Sequence, residues 1–304
     1  MAGIKLMASI NRFALPVQMP FDWQSLLAFL RIRATPGVEM VTESAYIRTI
    51  GGSGPRQMIS VTYDTSEPNL EVSYTAATCE PNVIEAGVRR IFQPEAKTGP
   101  IEAFLGRDGR LSAWVARQPG LRVPGGWCAF EIAMRAVLGQ QVSVAAGTTF
   151  MGRLVRLAGT RLEDEKWLFP TPRQVLQADL HKMGIPAGRL ETLRGVAAVF
   201  AEHGNHCVEQ PAIKDRLLAI KGVGKWTAGY ILMRTADSKD HWPEGDLVLR
   251  KALSKPPVLM ASNQLEQTFK GWSPYRGYAT VHIWRASGAA RRARRGSQAV
   301  SDRS

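Results

Sequence analysis

The chain is poor in cysteine. Only three cysteines occur among 304 residues, Cys79, Cys128 and Cys207, and they lie far apart. An odd, widely spaced set provides neither a disulfide framework nor the cluster that an iron–sulfur centre requires. The five histidines have no H-x-E or C-x-x-C partner, which argues against a zinc deaminase. We therefore predict no metal bound by side chains.

Long hydrophobic runs are also missing. The longest uncharged stretch, residues 136–152, is interrupted by Gln, Ser and Thr, which makes it a poor membrane span. The N-terminus lacks the apolar core and cleavage site of a signal peptide. No period of 20 to 50 residues repeats, which excludes solenoids. The sequence predicts an intracellular protein that does not enter the membrane.

Acidic residues are few relative to basic ones. The chain has 26 Asp and Glu against 39 Lys and Arg, which gives a net charge of +13. The last twenty residues hold six Arg and one Asp, so they contribute +5 and leave +8 on the rest. Such an imbalance favours a polyanionic partner. We predict a basic, disordered tail over 286–304, with a non-specific nucleic-acid tether as the alternative role.

An α+β unit is predicted for residues 1–95. Leu70, Val72 and Tyr74 alternate with polar residues, as in a half-buried antiparallel strand. Apolar residues at helical spacing flank the strand-like region on both sides. The strand-like runs are 41–50, 58–63 and 70–75, the helical runs are 21–34 and 83–92, and a Gly-rich turn is predicted at 51–56.

Strand character fades after residue 97, and ten short helical patterns with Gly or Pro turns follow. We predict an all-α body of two lobes over 96–285, with a cleft between the lobes. The predicted fold class is therefore α+β, an N-terminal antiparallel sheet with helices followed by this helical body. The predicted helices are 101–115, 127–139, 142–157, 172–183, 189–203, 211–220, 225–234, 247–253, 263–269 and 275–285.

The most informative segment is LLAIKGVGKWTAGY, residues 217–230. One helix ends at Lys221, Gly222-Val223-Gly224 forms a turn, and the free N–H groups of the next helix point outward. Glycine permits positive φ angles and lets a phosphate oxygen approach the backbone. A dinucleotide fingerprint would need a preceding strand and a third glycine, and the P-loop pattern is absent. The segment predicts a backbone anion site, with an ordinary helix–helix turn as the alternative.

Other motifs accompany this hairpin. It is followed by Trp242-Pro243-Glu244-Gly245-Asp246, a loop rich in Gly and Pro that ends at an aspartate. The combination resembles the signature of the helix-hairpin-helix DNA glycosylases, and within them it is most similar to the bacterial 3-methyladenine DNA glycosylase II family. The resemblance covers about residues 20–285, with the motifs in the same order. Supporting stretches are PGLRVPG at 119–125, RAVLGQQVSVA at 135–145, FPTP at 169–172 and HIW at 282–284.

Excision of a base breaks a C1′–N bond and puts positive charge on the deoxyribose in the transition state, which a fixed carboxylate stabilises. Asp246 fits this role because it follows Gly245 and precedes the helix-like LVLRKAL, where an N-cap keeps a carboxylate ionised. We predict Asp246 as the catalytic acid. A purely structural N-cap is the alternative, and Glu244 and Asp240 are rivals that we assign to a solvated loop.

Superfamily members that also cleave the DNA backbone carry Lys two places after Gly-Val-Gly, and this chain has Trp226 there. Lys225 is adjacent, but one residue rotates a helix by about 100°. The resemblance therefore implies a monofunctional glycosylase with water as nucleophile and an abasic site as product. Its expected substrates are N3- and N7-methylated purines, and its role is to start base excision repair. An oxidised-base glycosylase and a non-catalytic DNA-binding protein are the alternatives.

The resemblance places Trp226, Tyr230 and Phe29 in the base pocket. Aromatic faces attract electron-deficient purines by stacking and cation–π interaction. Tyr275 stands where the family has a tryptophan, and Leu247 where it has an aromatic residue, so we expect a less aromatic pocket. A core role for Phe29 is the alternative.

Gln141 occupies the position of an apolar wedge residue, where its amide could bond the orphaned base. We assign His282 and Trp284 to packing. The expected partner is double-stranded DNA with a damaged base, bound by a monomer in the bacterial cytoplasm at the nucleoid. No cofactor is expected, apart from a monovalent cation that backbone carbonyls of the hairpin could hold. The predicted DNA-binding residues are Gln140, Gln141, Lys221, Gly222, Val223, Gly224, Lys225, Thr227 and Arg250.

Overall fold

An antiparallel five-stranded sheet comes first in the chain. The computed structural model describes residues 10–51, 58–75 and 80–301, with side chains up to residue 288. Cys79 and nearly all of the turn predicted at 51–56 lie outside the described residues. The strand order is β1-β5-β4-β3-β2. The strands are β1 (Ile10–Pro16), β2 (Glu39–Val41), β3 (Ala45–Thr49), β4 (Met58–Asp64) and β5 (Asn69–Thr75).

Two helices, α1 (Trp23–Arg31) and α2 (Pro81–Phe92), share one hydrophobic core with the sheet. The alternation predicted for β5 is confirmed, since Leu70, Val72 and Tyr74 are all buried in that core. The prediction missed β1, an edge strand in which only Leu15 is buried and Phe13 is partly buried against the core, so its alternation is short.

Helices dominate the rest of the described chain, as predicted. Helix α5 is buried almost throughout and packs against α6, α8 and α10. The helices are α3 (Thr98–Leu105), α4 (Ser112–Ala116), α5 (Ala129–Leu138), α6 (Val144–Ala158), α7 (Pro172–Gln177), α8 (Ala187–His203), α9 (Ile213–Leu218), α10 (Lys225–Thr235), α11 (Leu247–Leu253), α12 (Ser262–Lys270) and α13 (Arg276–Ser301).

Three predictions for this part are wrong in detail. The helix predicted at 101–115 is two helices, because Asp108 accepts from its own turn at Arg110 N. The helix predicted at 172–183 ends at Gln177, and a 3₁₀ turn capped by Asp179 follows. A hairpin of two short strands, β6 (Thr160–Arg161) and β7 (Trp167–Leu168), lies between α6 and α7. Strands of two residues carry no periodic signal.

Two hydrophobic clusters fill the helical part. One contains α5, α6, α8 and the inner face of α10, and the other contains α3, α4 and α11 to α13. Helix α10 joins them, because Ile231 belongs to the first cluster and Met233 to the second. The domain boundaries at residues 95 and 285 stay predictions.

Helix α13 continues to Ser301, so residues 286–301, predicted as a disordered tail, are helical in the structure. The segment is rich in Ala and Arg, both strong helix formers, and it extends a helix that is already nucleated. Within the described ranges, no helix has both the length and the apolar character to cross a membrane.

Candidate active site

The turn between α9 and α10 contains two glycines, and a different structural feature explains why each position has no side chain. Gly222 has φ of +90°, and a Cβ there would lie 2.1 Å from Thr192 Oγ1. Gly224 is the extended N-cap of α10, and no atom lies within 4 Å of the position of its Cβ. A positive φ, expected at both, is therefore found only at Gly222. Gly224 leaves an open approach to the first N–H groups of α10.

Helix α8 and the core hold this hairpin in place. Thr192 Oγ1 lies 2.9 Å from both Gly188 O and Lys221 O and can donate its single proton to either. Val223 is buried in the core, whereas Gly222 and Gly224 are exposed. The hairpin therefore presents backbone rather than side chains, as an anion site without sequence preference requires.

Asp246 lies at the N-cap of α11, as the sequence predicts, and is only 7% exposed. Its Oδ1 accepts a hydrogen bond of 2.9 Å from Leu249 N. This bond satisfies one of the free N–H groups in the first turn of α11, as an N-cap side chain does.

Two indoles donate to the same carboxylate. Trp226 Nε1 lies 2.9 Å from Asp246 Oδ2, and Trp284 Nε1 lies 3.2 Å from Asp246 Oδ1. Trp226 also stacks on Tyr230, with ring centroids 5.3 Å apart and 17° between planes. The assignment of Trp284 to packing alone is therefore incomplete. It was missed because Trp284 lies 38 positions from Asp246, on a different helix, where the sequence gives no local signal.

Phe29 and Tyr230 are joined by two arginines that sequence reasoning missed. The guanidinium of Arg33 lies 3.8 Å from the centroid of the Phe29 ring, and that of Arg234 lies 5.1 Å from it. Arg234 Nη1 donates to Tyr230 Oη at 2.8 Å. Burial opposes ionisation of Tyr230, but the charges of Arg234 and Arg33 outweigh it and lower the pKa of the hydroxyl. Both arginines lie inside apolar helical patterns, which was the available signal.

The two remaining predicted pocket residues are Tyr275 and Leu247. Tyr275 packs edge-on against Phe104, with centroids 5.4 Å apart. Leu247 follows Asp246 directly and is 49% exposed. Pocket roles for Tyr275 and Leu247 stay predictions.

The loop between α5 and α6 is fixed to the hairpin by Gln140. Its Nε2 donates to Gly222 O at 2.9 Å and to Thr227 Oγ1 at 2.8 Å. Thr227 is buried, so its hydroxyl and the amide nitrogen of Gln140 connect α10 to the loop before α6. DNA contacts of Gln140 and Thr227 stay predictions. The next residue, Gln141, is exposed and has φ of +55°. A non-glycine residue is uncommon in this region, and such strain concentrates at functional sites.

The rival carboxylates are held by cations. Glu244, expected on a solvated face, has a side chain only 16% exposed and forms an ion pair with Lys214 at 2.8 Å. Asp240 accepts from Arg276 and Ser273. Both charges are therefore compensated within the protein, whereas the side-chain partners of Asp246 are neutral indoles.

The predicted basic DNA ligands are placed as follows. Lys221 is exposed and 3.6 Å from Glu191, and Lys225 is exposed and 3.9 Å from Glu244. Arg250 was predicted as a DNA ligand, but its Nε donates to Met260 O in the loop that follows α11. That contact orders the loop and leaves the remaining donors of Arg250 for other partners.

A cation at the hairpin would use backbone carbonyls. Gly222 O already accepts from Gln140 Nε2, and Ile220 O accepts from Val223 N at 2.9 Å. Each carbonyl keeps a second lone pair, so a monovalent cation is chemically compatible and stays a prediction. In the part of the chain that the structure describes, no group of three or more His, Cys, Asp or Glu side chains could hold a metal ion.

Known structures share this fold. The 3-methyladenine DNA-glycosylase from Archaeoglobus fulgidus has a TM-score of 0.76 at 17% identity, covering 90% of this chain and 97% of its own. The Clostridium acetobutylicum 8-oxoguanine glycosylase/lyase, in complex with double-stranded DNA containing cytosine opposite 8-oxoG, has a TM-score of 0.70 at 15% identity, covering 89% and 93%. At these identities the likeness shows the fold alone.

Sequence comparison is more specific. A model of the AlkA N-terminal domain family matches residues 12–128. DNA-3-methyladenine glycosylase 2 of Escherichia coli (strain K12) is 33% identical over 287 residues, which cover 91% of this chain and 98% of the relative. This identity over nearly the whole of both proteins confirms the resemblance carried by the motifs: the chain belongs to the DNA-3-methyladenine glycosylase 2 family.

Proposed function

We propose that the protein is a monofunctional DNA glycosylase that removes N3- and N7-methylated purines and so starts base excision repair. The observation that carries the proposal is the bond from Trp226 to the buried Asp246 carboxylate. Trp226 lies in the first turn of α10, the helix whose N-terminal N–H groups form the anion site. The site thus combines a backbone clamp for phosphate, a flat ring for a base and a charged acid.

The chemistry follows from this arrangement. A flipped purine stacks on the aromatic rings, and the C1′–N bond breaks with its electron pair leaving on the base. The deoxyribose becomes oxocarbenium-like, and the negative charge of Asp246 stabilises it. Water then adds to C1′ and loses a proton, which leaves an abasic site. A cationic methylated purine departs as a neutral base, so it requires no added proton.

The proposed partner is double-stranded DNA. The net charge of +13, the exposed backbone of Gly222 and Gly224, and the projecting Gln141 support it. Duplex DNA attracts cationic surfaces through its phosphates, and a side chain that enters the stack helps to hold a base outside it. A single chain carries the clamp, the acid and the rings, so the proposal includes action as a monomer on nucleoid DNA in the cytoplasm.

The test is incubation of the protein with duplex DNA carrying 7-methylguanine or 3-methyladenine. We expect free base and an alkali-labile abasic site in equal amounts, and no covalent adduct after borohydride reduction, because Trp226 replaces the lysine that would form a Schiff base. Trapping of an adduct would contradict the monofunctional assignment. Release of 8-oxoguanine alone would favour an oxidised-base glycosylase, and binding without release would favour a non-catalytic DNA-binding protein.

A further inference from the structure

The last turns of α13 carry positive charge that no acidic residue of the same segment balances. Residues 285–301 are helical and contain five arginines but no Asp or Glu. Like charges three or four residues apart are neighbours on a helix and destabilise it, as at positions 291 and 295. A polyanion that neutralises these charges would therefore stabilise the helix. The five residues are Arg285, Arg291, Arg292, Arg294 and Arg295.

The composition of this segment restricts the kind of partner. At about 100° per residue, positions 291, 292, 294 and 295 fall within about 160° of the helix circumference. Residues 286–301 include no Leu, Ile, Met or aromatic residue. The segment therefore lacks the large apolar anchors with which a helix docks in a protein groove or enters a lipid surface. Charge on one side of the helix is what remains for recognition.

Helix α13 is packed closely at its start and openly further along. Gly277 N donates to Lys239 O at 2.8 Å, and a Cβ at Gly277 would come within 2.7 Å of that oxygen. Within the described residues, no atom of another element lies within 4 Å of the position that a Cβ of Gly288 would take. The close packing at the first turn is therefore absent around Gly288, where the charged segment begins.

The charged turns lie near the proposed acid. Trp284 Nε1 is 3.2 Å from Asp246 Oδ1, which fixes this point of α13 at the site. At about 1.5 Å per residue, positions 291–295 lie about 10 to 16 Å further along the helix axis. Phosphates of one DNA strand are spaced about 3.4 Å apart along the duplex axis, so this distance corresponds to about three to five base pairs. Phosphates that flank a damaged base are within that range.

We propose that residues 285–301 form a helical arm that contacts the sugar–phosphate backbone of DNA beside the lesion. The inference rests on the proposed function and adds a DNA contact outside the hairpin. The arm does not read sequence, because contacts between arginine and phosphate supply affinity and position but no base identity. It holds the protein on undamaged DNA while the site samples successive bases.

The main test measures binding to undamaged duplex DNA at several salt concentrations. Each lost phosphate contact lowers the slope of log K against log salt by about 0.9. The double variant Arg291→Gln/Arg295→Gln should therefore lower the slope by about 2, so that affinity falls about tenfold less between 50 and 200 mM salt than in the wild type. Glutamine resembles arginine in helix propensity. A slope equal to that of the wild type would overturn the proposal.

Arg12→Gln/Lys97→Gln is the matched control. It removes the same charge from two exposed positions, Arg12 on the edge strand β1 and Lys97 at the N-cap of α3. Its slope should equal that of the wild type. An equal decrease in both double variants would indicate an effect of net charge alone and would overturn the proposal.

Gly288 tests whether the arm acts as a helix. Gly288→Pro keeps every charge but removes a helix hydrogen bond and clashes with the preceding turn, so it should lower the slope about as much as the double arginine variant. Gly288→Ala adds a strong helix former in open space and should keep the wild-type slope. Equal slopes for the two Gly288 variants would contradict a helical arm.

Vesicles of phosphatidylglycerol test a membrane surface as the other polyanionic partner. Weaker vesicle binding by Arg291→Gln/Arg295→Gln, together with an unchanged DNA slope, would overturn the proposal. None of these measurements depends on base release. A wild type that releases no methylated purine would contradict the proposed function, while its salt slopes could still be measured. Normal release with equal slopes for all variants would reject the arm and leave the glycosylase assignment intact.

Discussion

At the scale of single residues, Gln140 connects the proposed wedge to the phosphate clamp. Gln140→Ala removes the bonds to Gly222 O and Thr227 Oγ1, so Gln141 should lose its fixed position. We expect the affinity for abasic-site DNA to fall about tenfold, as loss of one or two ordinary hydrogen bonds does. Fluorescence of a 2-aminopurine opposite the abasic site measures both binding and unstacking. Gln141→Ala is the control, since it keeps the clamp and should reduce unstacking more than binding.

His282 predicts a pH dependence of stability. The ring is fully buried, and neither nitrogen has a hydrogen-bond partner among the described residues. Burial lowers its pKa to about 4, although Asp22 opposes the shift. Between pH 6.5 and 4 the unfolded chain binds a proton there and the folded protein does not. The free energy of unfolding should therefore decrease as the pH is lowered from 6.5 to 4, by up to about 3 kcal/mol.

Urea unfolding at pH 7, 5.5 and 4 measures this effect. His282→Leu removes the titrating group, so its free energy of unfolding should change less with pH than that of the wild type. An identical pH dependence in both proteins would contradict the assignment.

At the scale of the elements, the two hairpin glycines should respond differently to a methyl group. Gly222→Ala forces a positive φ on alanine and a clash with Thr192, so it should lower stability by more than about 1 kcal/mol. Gly224→Ala should fold as well as the wild type, because nothing lies near its Cβ. It should nevertheless weaken DNA binding, since the methyl group obstructs the approach of phosphate. Thermal melts and DNA titrations of both variants provide the comparison, and equal stability would contradict it.

Local chemistry explains what the sequence could predict. The hairpin, the N-cap at Asp246 and the neighbouring Trp226 lie within 30 residues and follow from turn and capping rules. Trp284 reaches the site from α13, 38 positions after Asp246, so no local pattern indicates it. Arg33 and Arg234 were visible only as charges inside apolar helical patterns. The alternation of β5 is readable because three alternate residues are buried, whereas in β1 only Leu15 is buried and Phe13 is partly buried. The positions of residues without a local pattern are set by tertiary packing, which the sequence does not report locally.

At the scale of the whole molecule, buried charges join the sheet to the helical body. Arg48 on β3 pairs with Glu131 on α5 at 3.1 Å, and both are nearly inaccessible. Arg135 of α5 pairs with Glu39 of β2 at 3.4 Å. Burial raises the pKa of Glu131 despite the opposing charge of Arg48. These pairs join β2 and β3 to α5, the helix that packs against α10.

Arg48→Met should therefore destabilise the protein strongly. It leaves the carboxylate of Glu131 buried without its main partner, which costs about 3–5 kcal/mol. The double variant Arg48→Met/Glu131→Met should recover most of this loss, because no unpaired charge is left. Urea unfolding measures both, and a single variant within about 1 kcal/mol of the wild type would contradict the role of the pair.

The role of Asp246 is measured most directly by the single-turnover rate of 7-methylguanine release by the wild type, Asp246→Asn and Glu244→Gln. Asp246→Asn should lower the rate by about a hundredfold or more, as loss of a group that stabilises transition-state charge does, and the variant should still bind abasic-site DNA. Glu244→Gln, which changes the nearest rival acid, should stay close to the wild type. Equal rates for the wild type and Asp246→Asn would contradict the account.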